Sequence, residues 1–231
     1  MDEEYLKCSK CKVYACVKNE PLNVPNFCPM NTRKDVLDAA LNQYYDLNDH
    51  NIMAAAARTV VKGITNSWTR IEDLINFARE MEYEKLGIAT CLALISESRI
   101  LTEILEIKGF EVKSICCKAG SNLEEDVRLQ GADLKLDFKL INSSMVNMDQ
   151  TRIPLCNPIG QAFLLNDEKT DLNILLGLCI GHDALFIKHS EAPVTPLIVK
   201  DRRTLNNPAA AIYGSNHFFK RLLSSENGVK E

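Results

Sequence analysis

The chain has 231 residues, of which 46% are hydrophobic and 25% are charged, and this composition excludes collagen-like, coiled-coil and disordered proteins. Its 27 Lys and Arg residues and 31 Asp and Glu residues give a formal net charge of -4 without any long block of like charge, so nucleic acid is not an expected partner. The first residues, MDEEYLKC, lack the apolar core of a signal peptide, and no stretch is apolar enough to span a membrane. We therefore expect a cytoplasmic protein with no membrane partner.

The nine cysteines are the unusual feature of this sequence. Because a reducing cytoplasm disfavours structural disulfides, so many cysteines indicate metal binding or thiol chemistry. One group lies near the amino terminus and the other is dispersed: Cys8, Cys11, Cys16 and Cys28, then Cys91, Cys116, Cys117, Cys156 and Cys179. This division predicts two separate sites.

Residues 1–32 form the first predicted domain, a cysteine-rich metal-binding module. They contain three prolines and little helical periodicity, so they can bury little apolar surface by themselves. The spacing C-x2-C-x4-C-x11-C allows the first two sulfurs to bind one metal, and a proline after the last cysteine is common in iron–sulfur ligation. Four thiolates also bind zinc, so the ligand type leaves the metal open. The alternative is a reduced, flexible tail.

The segment after residue 32 has helical patterning. The stretch DVLDAALNQYYDL carries an apolar stripe on one helical face. A second helix, IMAAAARTVVKGI, is expected to start at Asn48 or Asp49 and to end at Gly63. Thr69 and Glu72 form a capping box that opens a third helix, LINFAREMEY. We expect residues 33–231, with these helices, to form one compact unit.

From residue 85 onward, short apolar runs alternate with amphipathic segments, as in βα units around a parallel sheet. The predicted strands are LGIAT, EVKSICC, LNILLGLCI and VTPLIVK, and the proline in the last one indicates an edge position. The predicted fold class is α/β: a Rossmann-like three-layer sandwich with a mostly parallel sheet, preceded by the cysteine-rich module and the helical segment.

The segments between and after these strands differ in how clearly the sequence marks the start and end of a helix. SESRILTEILEIKG should end at Gly109, and the dipeptide Asn157-Pro158 should open IGQAFLLNDE. LEEDVRLQGA is expected to be a short helix, and residues 133–155 a loop or insertion. Asn207-Pro208 should open the last helix, AAAIYGSNHFFKRLL, which Gly214 weakens.

The later cysteines all fall at ends of predicted elements. Cys91, Cys116, Cys117 and Cys179 end or follow strands, and Cys156 precedes a helix. Carboxyl ends of parallel strands share one sheet edge, and helix amino termini offer free N–H groups, so we expect a second thiolate site there. Adjacent strand residues point to opposite faces, so only one of the two neighbouring cysteines should face the site unless the chain leaves the strand at the first. The alternative for each cysteine is that it fills the core.

Other polar residues near these strand ends are weaker candidates. His182, shortly after Cys179, is a candidate metal ligand or proton donor, and equally a histidine that caps a helix or packs in the core. Glu97, Arg99 and Arg202 are expected near the strand ends, where solvated charges and ion pairs are the more common roles. Asp183 is expected to cap a helix.

Several segments together resemble one family. They are GIATC, GFEVKSICCKAG, CNPIGQAFLLN, TDLNILLGLCIGHDALFIKHSEAPVTPLIVKDR and NNPAAAIYGSN, together with the amino-terminal cysteines. The chain resembles the cysteine-rich family catalogued as domain of unknown function 1847, found in bacteria and archaea. The resemblance covers nearly the whole chain and is most specific at CNPI and GLCxGHD. It implies metal binding by the cysteines and no assigned reaction.

Three functions remain open at this point. The first is an iron–sulfur protein that carries a 4Fe-4S cluster in the amino-terminal module, with or without a second cluster at the sheet edge, and exchanges electrons with a redox partner protein. The second is an enzyme whose sheet-edge thiolates handle a metal or a small sulfur-containing substrate, and the third is a zinc-stapled interaction or storage protein. Neither G-x-G-x-x-G nor G-x-x-x-x-G-K-[ST] is present, so nucleotide binding would rest on fold analogy alone. We expect metal binding, with iron–sulfur chemistry preferred over zinc.

Overall fold

The computed structural model describes residues 6–18, 24–129 and 154–224. The chain divides into two compact units, Met1–Ser67 and Trp68–Glu231, which we call the amino-terminal unit and the sheet unit. In the described residues no helix is both long and apolar enough to cross a membrane.

The amino-terminal unit consists of short helices followed by two longer ones. A 3-10 turn at Cys8–Lys10 precedes α1 (Ala15–Lys18), α2 (Pro29–Thr32), α3 (Lys34–Gln43) and α4 (Leu47–Asn66). The predicted apolar stripe of α3 exists, but its residues are exposed: Val36, Leu37, Leu41 and Tyr44. The fully buried apolar side chains of this unit, in its described part, are the small ones of Ala15 and Ala55.

Both predicted ends of α4 are wrong. The helix starts earlier because the carboxylate of Asp46 accepts hydrogen bonds from the N–H groups of Asn48 and Asp49 at 2.9 and 3.2 Å. It also continues through Gly63 and ends at Asn66, before Ser67, which has a left-handed backbone with φ of 54°. A glycine within a helix weakens it but ends it only where the following residues supply a cap.

The sheet unit alternates strands and helices, as predicted. Its elements are α5 (Arg70–Glu80), β1 (Lys85–Thr90), α6 (Ile95–Ile107), β2 (Glu111–Cys116), α7 (Pro158–Asp167), β3 (Leu172–Leu176), α8 (His182–His189), β4 (Val194–Ile198) and α9 (Ala209–Tyr213). The strands pair in the order β2-β1-β3-β4, and every pair is parallel. The edge position predicted for β4 is confirmed, and the pairing register shifts next to its Pro196.

Helices cover both faces of this sheet. On one face, side chains of α5 and α6 pack on β1 and β3, with Leu101, Leu105, Ile88 and Ile174 in the shared core. On the other face, α7 and α8 pack through Leu165 and Phe186, among others. The fold is therefore the predicted α/β, Rossmann-like three-layer sandwich.

Capping signals position several of these helices. Thr69 and Glu72 form the predicted capping box at the start of α5. The side chain of Asn157 accepts from the N–H of Gly160 at 2.8 Å, with Pro158 at the first helical position of α7. Gly109 follows α6 with a φ of 95°, a conformation that favours glycine.

Two predicted helices differ from the structure. Residues 123–129 form turns instead of the start of a helix, and the rest of that prediction lies outside the described residues, as does the predicted loop up to residue 153. The last helix is shorter than predicted: α9 ends at Tyr213, before Gly214, and up to residue 224, where the described part ends, only a 3-10 turn follows, at Lys220–Leu223. No side chain caps α9, so the predicted cap at Asn207 is also wrong.

Candidate thiol site at the sheet edge

The strand order reverses beside the cysteines. The two central strands are β1 and β3. The connection after β1 leads to β2 at one edge of the sheet, and the connection after β3 leads to β4 at the other edge. In open parallel sheets, ligands bind outside the carboxyl ends of the strands at such a reversal of strand order. Cys91 follows β1 directly, and Cys179 comes shortly after β3.

Backbone hydrogen bonds fasten these chain ends together. The N–H of Cys91 donates to the carbonyl of Leu176 at 3.0 Å, and the N–H of Cys117 donates to the carbonyl of Thr90 at 2.9 Å. The N–H of Asn157 donates to the carbonyl of Cys117 at 2.8 Å, which brings the residue after Cys156 against the end of β2. The ends of three strands and the start of α7 therefore form one frame.

Gln161 on α7 lies beneath this frame and is fully buried. Its amide nitrogen donates to the carbonyls of Thr90 and Ile115, at 3.2 and 2.7 Å, so one side chain joins the ends of β1 and β2. Its Oε1 is buried and has no hydrogen-bond partner within the described residues. An unpaired buried acceptor costs free energy, so the two hydrogen bonds of the amide nitrogen must offset this cost for Gln161 to stay in place.

The thiols of this edge lie close to one another. The Sγ atoms of Cys117 and Cys156 are 3.8 Å apart, although the two residues are 39 positions apart in the chain. The N–H of Leu92 donates to Sγ of Cys117 at 3.3 Å. Sγ of Cys179 accepts from Nη2 of Arg202 at 3.1 Å. All of these cysteines are free thiols.

The pKa values of three thiols separate because the thiols hydrogen-bond in series. Cys117 as donor, with the positive charge of Lys118, lowers the pKa of Cys156 from 9.0 to about 7, while burial opposes this. Donation to Cys156 raises the pKa of Cys117 to about 11. Donation to Cys117, together with burial, raises the pKa of Cys91, which the N–H of Ala93 and the charge of Lys200 only partly offset. Of these three thiols, Cys156 therefore ionises at the lowest pH, while its two neighbours are still protonated.

The structure distinguishes the two neighbouring cysteines. Cys116 is the last residue of β2, and the chain leaves the strand there, so that Cys117 turns into the cluster. Cys117 is 2% exposed and contacts Cys156, whereas Cys116 packs at the margin of the apolar core on the α7 and α8 side. We call Cys91, Cys117, Cys156 and Cys179 the sheet-edge thiols.

The other candidate side chains have different environments. His182 is the first residue of α8, and in the described part of the chain no hydrogen bond joins its side chain to a thiol. Asp183 accepts from the N–H of Ala184 at 2.8 Å, but it lies within α8, whose cap position, Gly181, has no side-chain cap, so its predicted capping role is wrong. Arg202 contacts a thiol directly, a role that the sequence offered only as the less common one.

The amino-terminal cysteines are more exposed. Cys8 and Cys16 are exposed, and Cys11 and Cys28 are half-buried. The N–H of Cys11 donates to the carbonyl of Cys8 at 3.0 Å, so the C-x2-C pair occupies one tight turn. Cys28 is the residue before α2, whose first helical position is Pro29.

Zinc, copper(I) and iron–sulfur clusters all bind through cysteine sulfur, so the cysteines present fit a site for one of these groups. Within residues 6–18, 24–129 and 154–224, no three or more Cys, His, Asp or Glu side chains are already arranged at metal-ligand spacing. One edge of such a site has the right length: zinc with four sulfurs at about 2.3 Å has sulfurs about 3.8 Å apart, and Cys117 and Cys156 have that separation.

Several residues of the site had no clear signal in the sequence. Gln161 looks like an ordinary helical residue, and only the packing of α7 shows that it joins two strands. The positive charge of Lys118 favours the thiolate form of Cys156, and that of Lys200 favours the thiolate form of Cys91. A usable signal was their position: Lys118 directly follows Cys117, and Lys200 and Arg202 follow β4.

Comparisons with known proteins agree with the resemblance seen in the sequence. The family model described as "Protein of unknown function (DUF1847)" matches residues 28–197, a range that includes every cysteine from Cys28 to Cys179. The chain is also 38% identical over 222 residues to the uncharacterized protein MJ0455 of Methanocaldococcus jannaschii, an alignment that covers 96% of this chain and 100% of that protein. This chain therefore belongs to the family of proteins of unknown function DUF1847.

Proposed function

We propose that this protein binds a soft metal ion in the reducing interior of the cell through its sheet-edge thiols. The observation that carries the proposal is the 3.8 Å separation of Sγ of Cys117 and Sγ of Cys156, two unoxidised thiols held together by the fold. Free cysteines that only fill a core have no need to meet. Cys91 after β1 and Cys179 after β3 supply the other two sulfurs, so the four donors come from three strand ends and one helix start that backbone hydrogen bonds join.

The short sulfur separation favours one metal ion, such as zinc, over a cluster at this edge. A single tetrahedral ion keeps its sulfur ligands at about the observed separation. An iron–sulfur cluster spreads its cysteine ligands further apart, because irons and sulfides lie between them. Cys117 and Cys156 would have to separate to hold such a cluster.

The charges around the thiols favour several thiolates on one ion. Metal-bound cysteines are deprotonated, and their mutual repulsion opposes binding until positive groups offset it. Lys118 contributes to the lowered pKa of Cys156, Lys200 partly offsets the rise in the pKa of Cys91, and Arg202 contacts Cys179. The N–H groups of Leu92 and Ala93 point at sulfur as well. These groups give the site positive character.

The amino-terminal cysteines are the candidate for an iron–sulfur cluster. The tight turn that holds Cys8 and Cys11, and the exposure of Cys8 and Cys16, are suited to a larger group near the surface. A cluster there would make electron transfer to a redox partner protein the function of this unit, while zinc in the same place would make it structural.

The test is metal analysis of the full chain purified without oxygen. We expect about one soft metal ion per chain to depend on the sheet-edge thiols, and this ion to be lost in a Cys117→Ala/Cys156→Ala variant. Cys116→Ala is the matched control, since it removes a neighbouring thiol outside the cluster and should keep the metal.

Iron with acid-labile sulfide that disappears in a Cys8→Ala/Cys11→Ala variant would place a cluster in the amino-terminal unit. Metal content that is unchanged in Cys117→Ala/Cys156→Ala, with the fold intact by circular dichroism, would overturn the proposal for the sheet edge.

A further inference from the structure

Two of the sheet-edge thiols, Cys117 and Cys156, have their sulfur atoms in direct contact. The Sγ atoms are 3.8 Å apart, and both thiols are free. A disulfide bond is about 2.05 Å long, so its formation needs a relative movement of the two sulfurs of about 2 Å. Rotation of the two side chains can supply a movement of this size.

The backbones that carry the two thiols lie side by side and are joined by hydrogen bonds. The N–H of Asn157 donates to the carbonyl of Cys117 at 2.8 Å, and the N–H of Leu155 donates to a carbonyl at 2.7 Å, that of Asn122. The amide nitrogen of the Asn157 side chain also donates to Oδ1 of Asn122, at 2.9 Å. These bonds flank Cys156 on both sides, and a disulfide forms only where the backbones are already this close.

The turn after β2 keeps the two segments together. Gly120 has a φ of 92°, a conformation that favours glycine, and a Cβ there would lie 2.5 Å from Oδ1 of Asn122. Nζ of Lys118 donates to the carbonyl of Pro154, which ties the segments once more. The fold therefore holds the two sulfurs together without a metal ion and without a bond between them.

The two thiols differ in their access to solvent. Cys156 is half-buried, whereas Cys117 is 2% exposed. A molecule from solvent can therefore reach Cys156, and Cys117 can react only after Cys156 has done so. Sγ of Cys117 also accepts from the N–H of Leu92 at 3.3 Å, a donor that stabilises negative charge on this sulfur. An accessible thiol in contact with a buried one suits thiol–disulfide exchange, in which the first attacks and the second resolves.

We propose that Cys117 and Cys156 form a dithiol that reduces a small-molecule disulfide and is itself converted to a disulfide. In the first step Cys156, as the thiolate, attacks one sulfur of the small disulfide. The S–S bond of that molecule breaks, and its other half leaves as a thiolate that takes up a proton. The product is a mixed disulfide between Cys156 and the first half.

Cys117 completes the reaction in a second step. Its thiol gives its proton to solvent, and its sulfur attacks Sγ of Cys156. The Cys117–Cys156 bond forms, the mixed disulfide breaks, and the remaining half leaves and is protonated to a thiol. The protein thus loses two electrons and two protons, and the small disulfide gains them as it becomes two thiols.

This activity goes beyond the proposed metal binding and does not require it. Both uses draw on the same two sulfurs, so a bound metal would block the disulfide, and the disulfide would remove two of the metal ligands. The metal content must therefore be fixed before the thiol chemistry is measured.

The test treats the metal-free full chain with glutathione disulfide and identifies linked peptides by mass spectrometry. Among the cysteines of the sheet unit, the main link should join Cys117 and Cys156. Cys116 and Cys117 are neighbours and fall in the same peptide, so Cys116→Ala is the matched control. The link should form in Cys116→Ala as it does in the wild-type protein.

Cys117→Ala separates the two steps. It removes the resolving thiol, so Cys156 should accumulate as a mixed disulfide with glutathione, at a level at least about tenfold above that in the wild-type protein. Cys156→Ala should leave Cys117 unmodified over the same time, because Cys117 is buried. Circular dichroism compares the fold of each variant with the wild type, and the link itself is measured in the wild type without any substitution.

A link that involves Cys116 in place of Cys117 would overturn the inference. So would a mixed disulfide on Cys156 that accumulates in the wild type as much as in Cys117→Ala, or a Cys156 that does not react in the metal-free protein. A second sample, loaded with zinc beforehand, should resist oxidation. Oxidation of that sample at the metal-free rate would count against the proposed function and leave this inference standing.

Discussion

The two groups of cysteines reach their positions in different ways. The amino-terminal cysteines are close in sequence and lie on turns and helices of three or four residues, where two of them are exposed. The sheet-edge thiols are far apart in sequence and are brought together by strand order, backbone hydrogen bonds and a buried glutamine. Short sequence spacing brings the amino-terminal cysteines close to one another but does not supply a supporting frame. At the sheet edge the parallel strands supply that frame, and the thiols there differ in pKa in the metal-free protein.

This contrast extends to the packing of the two units. The sheet unit has two cores, one on each sheet face. The described part of the amino-terminal unit buries only small apolar side chains, and α3 exposes its stripe. A metal would therefore contribute a larger share of folding free energy to the amino-terminal unit than to the sheet unit.

The largest expected effect compares one apolar side chain from each unit. Phe186→Ala removes a fully buried ring between α8 and the sheet and should lower the free energy of unfolding by about 3–5 kcal/mol. Leu41→Ala, at a side chain that is 62% exposed, should change it by less than about 0.5 kcal/mol. Urea unfolding followed by the fluorescence of Trp68 measures both. Equal effects would mean that α3 is packed as tightly as the sheet.

The second prediction tests whether the frame supports the thiols. Gln161→Met keeps most of the side-chain volume but removes the hydrogen bonds to the carbonyls of Thr90 and Ile115. It should cost about 1–3 kcal/mol of stability and weaken metal binding at the sheet edge. Metal binding by the amino-terminal cysteines should not change. If Gln161→Met binds metal at the sheet edge with the same affinity as the wild-type protein, Gln161 is needed for the fold alone.

The third prediction concerns pH. In metal-free protein, alkylation of Cys156 should rise with pH around a midpoint of about 7, because its pKa is lowered and the thiolate is the reactive form. At neutral pH this should make Cys156 roughly fivefold to fiftyfold more reactive than a thiol of pKa 9.0, the lower figure allowing for the weaker nucleophilicity of a less basic thiolate. Cys91, whose pKa is raised, should react slowly over the same range.

Cys117→Ala is the matched variant for this experiment. It removes the donor that stabilises the Cys156 thiolate, so the midpoint should move to higher pH. Mass spectrometry of the alkylated peptides follows each cysteine separately. A midpoint that does not move would show that Lys118, not Cys117, sets the pKa of Cys156.

The smallest expected effect compares two helix caps. Asp46→Ala removes the cap of α4 and Thr69→Ala breaks the capping box of α5, each at a cost of about 1 kcal/mol. Because α5 packs on the sheet core, Thr69→Ala should lower the stability of the sheet unit as a whole. Asp46→Ala should mainly increase hydrogen exchange within α4. Loss of protection throughout the sheet in Asp46→Ala would contradict this distinction.

Much of the sheet unit was predictable because its signals are local. Buried parallel strands read as short apolar runs, as in LNILL, and caps such as Thr69 and Asn157 mark where helices begin. The signals failed where neighbouring residues competed for the same role. Asp46 precedes Asn48 and Asp49, all three are good caps, and only the folded backbone selected Asp46.

The candidate site was predictable in its location but not in its contacts. The rule that parallel strands end at one edge indicated where Cys91, Cys117 and Cys179 would lie. It did not separate Cys117 from Cys116, since this depends on the residue at which the chain leaves β2. Sequence reasoning also favoured His182 over Arg202 as a site residue, whereas Arg202 is the one that touches a thiol.

The sequence by itself therefore determined the α/β class, the main strands and the supply of thiols, because apolar period, caps and residue type act within a few positions of the chain. Only the tertiary structure decided that Cys117 meets Cys156, that Gln161 joins two strands beneath them and that Arg202 reaches Cys179. Those contacts depend on strand order and pairing register, which bring together residues that no local pattern connects.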